Sequence, residues 1–325
     1  MFKRISRTKL AVTFALCLIT LGHVFTLYQI PFANGLDRVL YDLHLHRQLT
    51  DDADEQVVIA NIDEKSIAQL GQWPWRRDVL AQFVDTAFDH YQIKALGFDV
   101  VFSEPSDSTA LEVMQMLAQS DLSQHDTFKQ AYKLLAPQLD FDKQLADSFA
   151  NRPVVLGIVF EQNKHPNTNT LPLPITSLKN EMKRNHSLIN ARSYIANIPA
   201  FHEQARSAGF FDNPLLDADG ILRRVPLVQS IQGHIYPSLA LELYRLSVDE
   251  PSIKIGLEQI NDEYQIKQIS IGQKSVQVGR KGDVLVPYIG PQRSFAYLPI
   301  IDILNQSLPV EALKNKSVIV GTDSA

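Results

Sequence analysis

Residues Val57 to Phe102, VVIANIDEKSIAQLGQWPWRRDVLAQFVDTAFDHYQIKALGFDVVF, constrain the fold more than any other part of the chain. Val57 to Ile62 is a short apolar run ending in Asp63 and Glu64. Val79 to Phe88 carries apolar residues at helical spacing, and Ala95 to Phe102 is a second apolar run broken by Asp99. This is the pattern of a βαβ unit, whose parallel strands are buried on both faces and so read as continuous apolar runs. Both runs finish in carboxylates. Open α/β sheets place ligands beyond the carboxyl ends of their strands, which makes Asp63, Glu64, Asp99 and Glu104 candidate ligand-binding residues.

Leu10 to Ile30 is uncharged and overwhelmingly apolar. As a helix its 21 residues reach about 31 Å, the thickness of a bilayer core. A transmembrane helix over 10–30 is therefore expected, with 1–9 in the cytoplasm. A cleaved signal peptide is the rival reading, but this run is longer than a usual signal core and no small-x-small cleavage site follows it. Lys3, Arg4, Arg7 and Lys9 give the first 30 residues +4, leaving −9 of the total −5 on the remainder. The cations hold the N-terminus inside and send the rest across the membrane. The acidic body argues against nucleic acid as a partner, because phosphate binding requires a basic face. Cys17 is the only cysteine, so neither an internal disulfide nor a cysteine zinc site is available.

Residues 34–49 place Leu36, Val39, Leu40 and Leu43 on one face of a membrane-proximal helix. That face serves signal transmission and dimerisation, or packs on its own domain. The main domain then runs from 50 to 325. Its loop Gly71 to Asp78 holds both tryptophans, Trp73 and Trp75, beside Arg76 and Arg77, either as a ligand platform or as a plug on the body. Helices are expected around Leu111–Leu117, Phe128–Leu135 and Asp142–Phe149, a third core strand over Pro153–Phe160, and a long loop over Gln162–Ile198. A helix over Phe201–Ala208 precedes GFFDNPLLDADGILRRVPLVQ, where Asp219-Gly220 signals a hairpin and Arg223 and Arg224 follow. The remainder suggests a helix over Pro237–Leu246, antiparallel hairpins over Ile253–Tyr288, a helix over Ile300–Leu304 and a last strand over Ser317–Gly321. The fold class is thus α/β: a layered, mainly parallel sheet with flanking helices, an antiparallel portion in the second half, and one N-terminal transmembrane helix.

Motifs for common chemistry fail one by one. No GxSxG elbow is present, Gly272-Gln273-Lys274-Ser275 has Gln273 where a phosphate loop needs glycine, and His202-Glu203 meets Arg206 where a zinc protease has its second histidine. Asp217-x-Asp219-Gly220 opens like a calcium loop but lacks its closing Glu. What remains is a carboxylate cluster, an aromatic and arginine loop, and a second arginine pair. These suit ligand binding better than catalysis, and structural carboxylates paired to the same arginines would give the same pattern.

Residues 57–105 resemble the second CHASE family, the cyclase- and histidine-kinase-associated sensory extracellular domains of bacteria. LDFDKQLADSFANRPVVLG, GFFDNPLLDADGILRRVPLV, YPSLALELYR, VLVPYIGP and SVIVGT follow in family order. The resemblance implies a periplasmic sensor domain of an inner-membrane receptor, non-enzymatic in these residues. A cytoplasmic effector such as a class III nucleotide cyclase, a histidine kinase, a Ser/Thr kinase or a diguanylate cyclase would lie outside this sequence, and the helical region Leu111 to Phe149 looks most like members that precede an adenylate or guanylate cyclase. Arg76 stands where many members have a second proline, and Asp323 where a small residue is usual. The family supplies no ligand or catalytic residues. The expected partners are the membrane, a small-molecule ligand of unknown identity and a second copy in a homodimer, and no cofactor or metal is expected. Two other classes fit the residues: a periplasmic hydrolase using Asp63 or Glu64 with Glu104, and a purely structural dimerisation module.

Overall fold

The computed structural model describes residues 7–24, 31–49, 55–183, 185–248, 252–260, 262–291 and 294–322. The chain divides into two units, 1–53 with 287–294, and 54–286 with 295–325. In the first unit, helices run over Arg7–Val24 and Pro31–Gln48. Val12, Phe14, Leu16, Leu18, Ile19 and Leu21 are exposed on the first helix. Among the described residues, however, no helix is long and apolar enough to cross a membrane. The described helix has 18 residues and its first turn contains Arg7 and Lys9, whereas 25–30 of the expected span, and 50–54 at the start of the main domain, lie outside the described residues. The second helix presents Leu36, Val39, Leu40 and Leu43 to solvent.

The second unit is built on a seven-stranded sheet. Its order is Ala296–Pro299, Val57–Asn61, Ser317–Gly321, Ala95–Phe98, Val154–Glu161 and Ser193–Ile195, with Ser207–Phe210 also pairing to 154–161. All pairings are parallel except that of 193–195. The two strands of the expected βαβ unit are parallel but not neighbours, because the last strand enters between them, setting Val318 opposite both Val58 and Leu96.

Successive residues point to opposite faces of a strand, and here both faces are covered. Val58, Leu96, Phe98, Leu156, Val318 and Val320 turn to the main core beneath helices Arg77–Asp85, Phe141–Phe149 and Pro199–Gln204. Ala95 and Val155 turn the other way, onto Leu239, Leu243 and Leu246 of helix Leu239–Ser247. Glycine permits this second contact: a Cβ on Gly209 would come within 2.6 Å of the Leu239 backbone nitrogen. Ser207 Oγ donates to the buried Glu242 carboxylate, which also receives Arg245, and so fixes the helix to strand 207–210.

The antiparallel portion is a three-stranded sheet, Ile253–Ile260, Glu263–Ile271 and Lys274–Gln277, and a four-stranded one containing Val228–Ile231 and His234–Pro237. They share a separate core around Leu188, Val228, Ile235, Leu241, Ile266 and Ile269. Gly272-Gln273 is a two-residue hairpin turn with Gly272 at φ +58, so its likeness to a phosphate loop is that of a turn.

Four expectations need correction. Helix 201–208 ends at Gln204, and Ser207–Phe210 is a parallel strand. Asp217–Gly220 is a turn, with Gly220 N donating to Asp217 O at 2.9 Å, but it joins no hairpin: Arg224–Pro226 pairs instead with Asp283–Leu285. The second core strand stops at Phe98. The loop 162–198 contains three short strands.

Candidate functional site

Because the main strands are parallel, their carboxyl ends share one edge of the sheet. Asp63 lies two residues beyond strand 57–61, caps helix Glu64–Leu70 and accepts from Ser66 N at 2.9 Å. Glu64 is the first residue of that helix and is exposed. Asp99 follows strand 95–98 directly, and its backbone N–H donates to Val320 O at 3.0 Å. Its side chain has exposed surface, yet the protein mass around it raises its pKa above the usual carboxylate value. Glu104 is exposed on the following loop. With strand 317–321 between them, the ends of strands 57–61 and 95–98 stand about 10 Å apart.

Sequence reasoning missed Asp212, two residues beyond strand 207–210 and on the same edge. Phe160 N donates to its Oδ1 at 2.7 Å and Gln229 Nε2 to its Oδ2 at 3.0 Å. Burial raises its pKa against these two hydrogen bonds. Gln229 is fully buried, with its Oε1 unpartnered. Asn197, equally buried, ties the chain leaving strand 95–98 to the middle of strand 154–161 by accepting from Phe102 N at 2.7 Å and donating to Gly157 O at 2.8 Å.

The loop 71–78 lies against an aromatic cluster. Trp73 and Trp75 meet edge to face with centroids 5.2 Å apart. Trp75 is buried, and its indole donates to Gly71 O at 2.8 Å. Arg76 pairs with Asp78 through both carboxylate oxygens and lies 4.7 Å from the Phe141 ring centre, an arrangement that lowers the Asp78 pKa. Arg77 stacks on Phe102 at 4.4 Å, within a group formed by Phe98, Phe102, Phe149 and Phe201. It faces Asp142 at 3.6 Å, and Asp142 also accepts from Ser106 N at 2.8 Å. Arg77 Nε and Asp142 Oδ1 are buried without a hydrogen-bond partner.

Arg223 and Arg224 belong to a different region. Arg223 is buried and holds Asp217 at 2.8 Å and Asp219 at 2.9 Å, the latter through both guanidinium nitrogens. Its hydrogen bonds lower the Asp219 pKa to about 2. Arg224 pairs with the buried Asp283 at 2.7 Å. Arg76, Arg77, Arg223 and Arg224 thus each hold an acid outside the candidate carboxylates 63, 64, 99 and 104. The aspartates of the calcium-like sequence turn onto Arg223.

Among the described residues, no group of three or more His, Cys, Asp or Glu side chains is placed to hold a metal ion. Acids and bases in these arrangements cap a helix and fix loops. A family model for the CHASE2 domain matches residues 14–325. Neither a curated protein nor a solved structure matches the chain. The match takes in the later part of the first helix, the parallel sheet and the antiparallel portion, and the chain belongs to the CHASE2 domain family, the extracellular sensory domains of signalling receptors.

Proposed function

We propose that this chain is the extracytoplasmic sensor of a bacterial membrane receptor, anchored by its N-terminal apolar segment and relaying its state to a cytoplasmic effector, a nucleotide cyclase by the likeness of its helical region Leu111 to Phe149 to members that precede one. The observation that carries this reading is the family match over 14–325. The exposed Val12, Phe14, Leu16, Leu18, Ile19 and Leu21 of the first helix support a membrane environment for it, since so much exposed apolar surface is costly in water. The exposed Leu36, Leu40 and Leu43 have the four-and-three spacing of a coiled-coil seam, which suits a homodimer in which helix 31–48 carries a shift between two arrangements toward the membrane. Ligand residues on this reading come from the strand-end edge and its loops, Asp63, Glu64, Trp73, Trp75, Arg76, Arg77, Asp99 and Glu104, and from the separate arginine pair Arg223 and Arg224.

Thiol labelling of intact cells tests the placement. A cysteine at the exposed Gln69 reacts with a membrane-impermeant maleimide, while native Cys17 reacts only after the membrane is dissolved. Reaction at Gln69→Cys only after lysis would put the domain on the wrong side and overturn the proposal.

A further inference from the structure

Helix Leu239–Ser247 is a wall shared by two cores. Its inner residues Leu239, Leu243 and Leu246 pack on the parallel sheet, while Leu241 packs into the core of the antiparallel portion. Between its outer face and strands 263–271 and 274–277 lies an open groove of about 260 Å³. Leu241 and Tyr244, one helical turn apart, form one side, and Ile269, Ile271 and Val276 form the floor. Strand register explains the floor: Ile269 pairs with Val276, and Ile271 with Lys274, so all four share one face of the sheet.

Among the described residues, the mouth has a single charge. Lys274 extends over the Tyr244 ring, with its Nζ 5.9 Å from the centroid, and Ser275 is the other polar lining residue beside the Tyr244 hydroxyl. No described acid lines the groove. An apolar slot of this size with one ammonium at its rim is complementary to an aliphatic chain ending in an anion. None of the ten candidate ligand residues above lines it.

We infer that this groove is a second ligand site of the sensor, separate from the strand-end candidates, and that its ligand class is a free medium-chain carboxylate, with the chain on Ile269, Ile271 and Val276 and the carboxylate at Lys274. The inference rests on the sensor reading and deepens it. A ligand in the groove bears on Leu241 and Tyr244, and Gly209 leaves the same helix no clearance on its other side. Any displacement of the helix is therefore felt by strands 95–98, 154–161 and 207–210.

The test is calorimetric titration of the full chain in nanodiscs with octanoate, octan-1-ol and acetate, with empty nanodiscs subtracted. Saturable octanoate binding is expected, about tenfold tighter than octanol and far tighter than acetate. Lys274→Glu, at an exposed position, weakens octanoate about tenfold and leaves octanol nearly unchanged. Val276→Trp fills the groove and removes both. Octanoate heats equal to those of empty nanodiscs, or affinity untouched by Lys274→Glu in a variant that melts like the parent, would overturn the inference. Neither result bears on the sensor reading, which the cell-labelling experiment tests without using this groove.

Discussion

The guanidinium of Arg77 lies over the ring of Phe102, 4.4 Å from its centre, and so ties the start of a helix to the chain leaving a central strand. Arg77→Ala removes this stacking and leaves the half-buried Asp142 facing only Ser106 N. A loss of about 2 kcal/mol is expected in urea unfolding, with Arg77→Lys intermediate because it keeps the charge but loses the planar fork. Unchanged stability in Arg77→Ala would show that the stack is incidental.

Gly209 admits no side chain. Its Cβ would sit 2.6 Å from Leu239 N and 2.7 Å from Leu239 Cα, both backbone atoms that cannot rotate away. Gly209→Ala should cost about 1–3 kcal/mol through overpacking. Gly71→Ala meets no atom within 4 Å, so only its positive φ opposes the change, and about 1 kcal/mol is expected.

Acid and neutral pH act on different aspartates. Asp219, lowered to about 2 by Arg223, contributes stability that is fully present above the ordinary carboxylate value and is lost as pH falls from about 4 toward 2. Asp219→Asn should flatten unfolding free energy across that window. Asp212 is shifted the other way by burial, so its native form binds the proton more tightly than the unfolded chain does, and stability falls as pH rises from about 4. Asp212→Asn keeps an acceptor for Phe160 N and should remove that decline, as urea titrations between pH 4 and 7 would read.

Val318 touches both halves of the sheet's centre and is almost fully buried. Val318→Ala should cost about 2 kcal/mol, and a truncation before Ser317 should abolish cooperative unfolding, since it removes the strand between 57–61 and 95–98. A truncated chain with a normal melt would contradict the observed strand order.

Strong periodicity made most elements legible: the strands at 57, 95, 154 and 317, the helices at 77, 141 and 239, and the antiparallel character of 253–277. Strand order was not legible, because the pairing of Val318 with Val58 depends on contacts some 260 residues apart, to which local pattern is blind. Ser207–Phe210 escaped because four residues with Ala208 and Gly209 continue the helical spacing of Phe201 and Ala205, and Gly209 is there for its close approach to Leu239. Ala296–Pro299 ends in proline and is an edge strand, where proline is tolerated. Reading the strand at 207 would have exposed Asp212 as the counterpart of Asp63 and Asp99. Asn197 and Gln229 carried no signal, since their roles come from burial alone.

The central claim is that this domain senses. The most direct measurement is effector output from the intact receptor before and after residues 34–325 are replaced by the corresponding domain of a receptor with a different stimulus. The account predicts that the exchanged receptor loses the response to native stimuli and acquires that of the donor domain. Native responses that survive the exchange unchanged would contradict it.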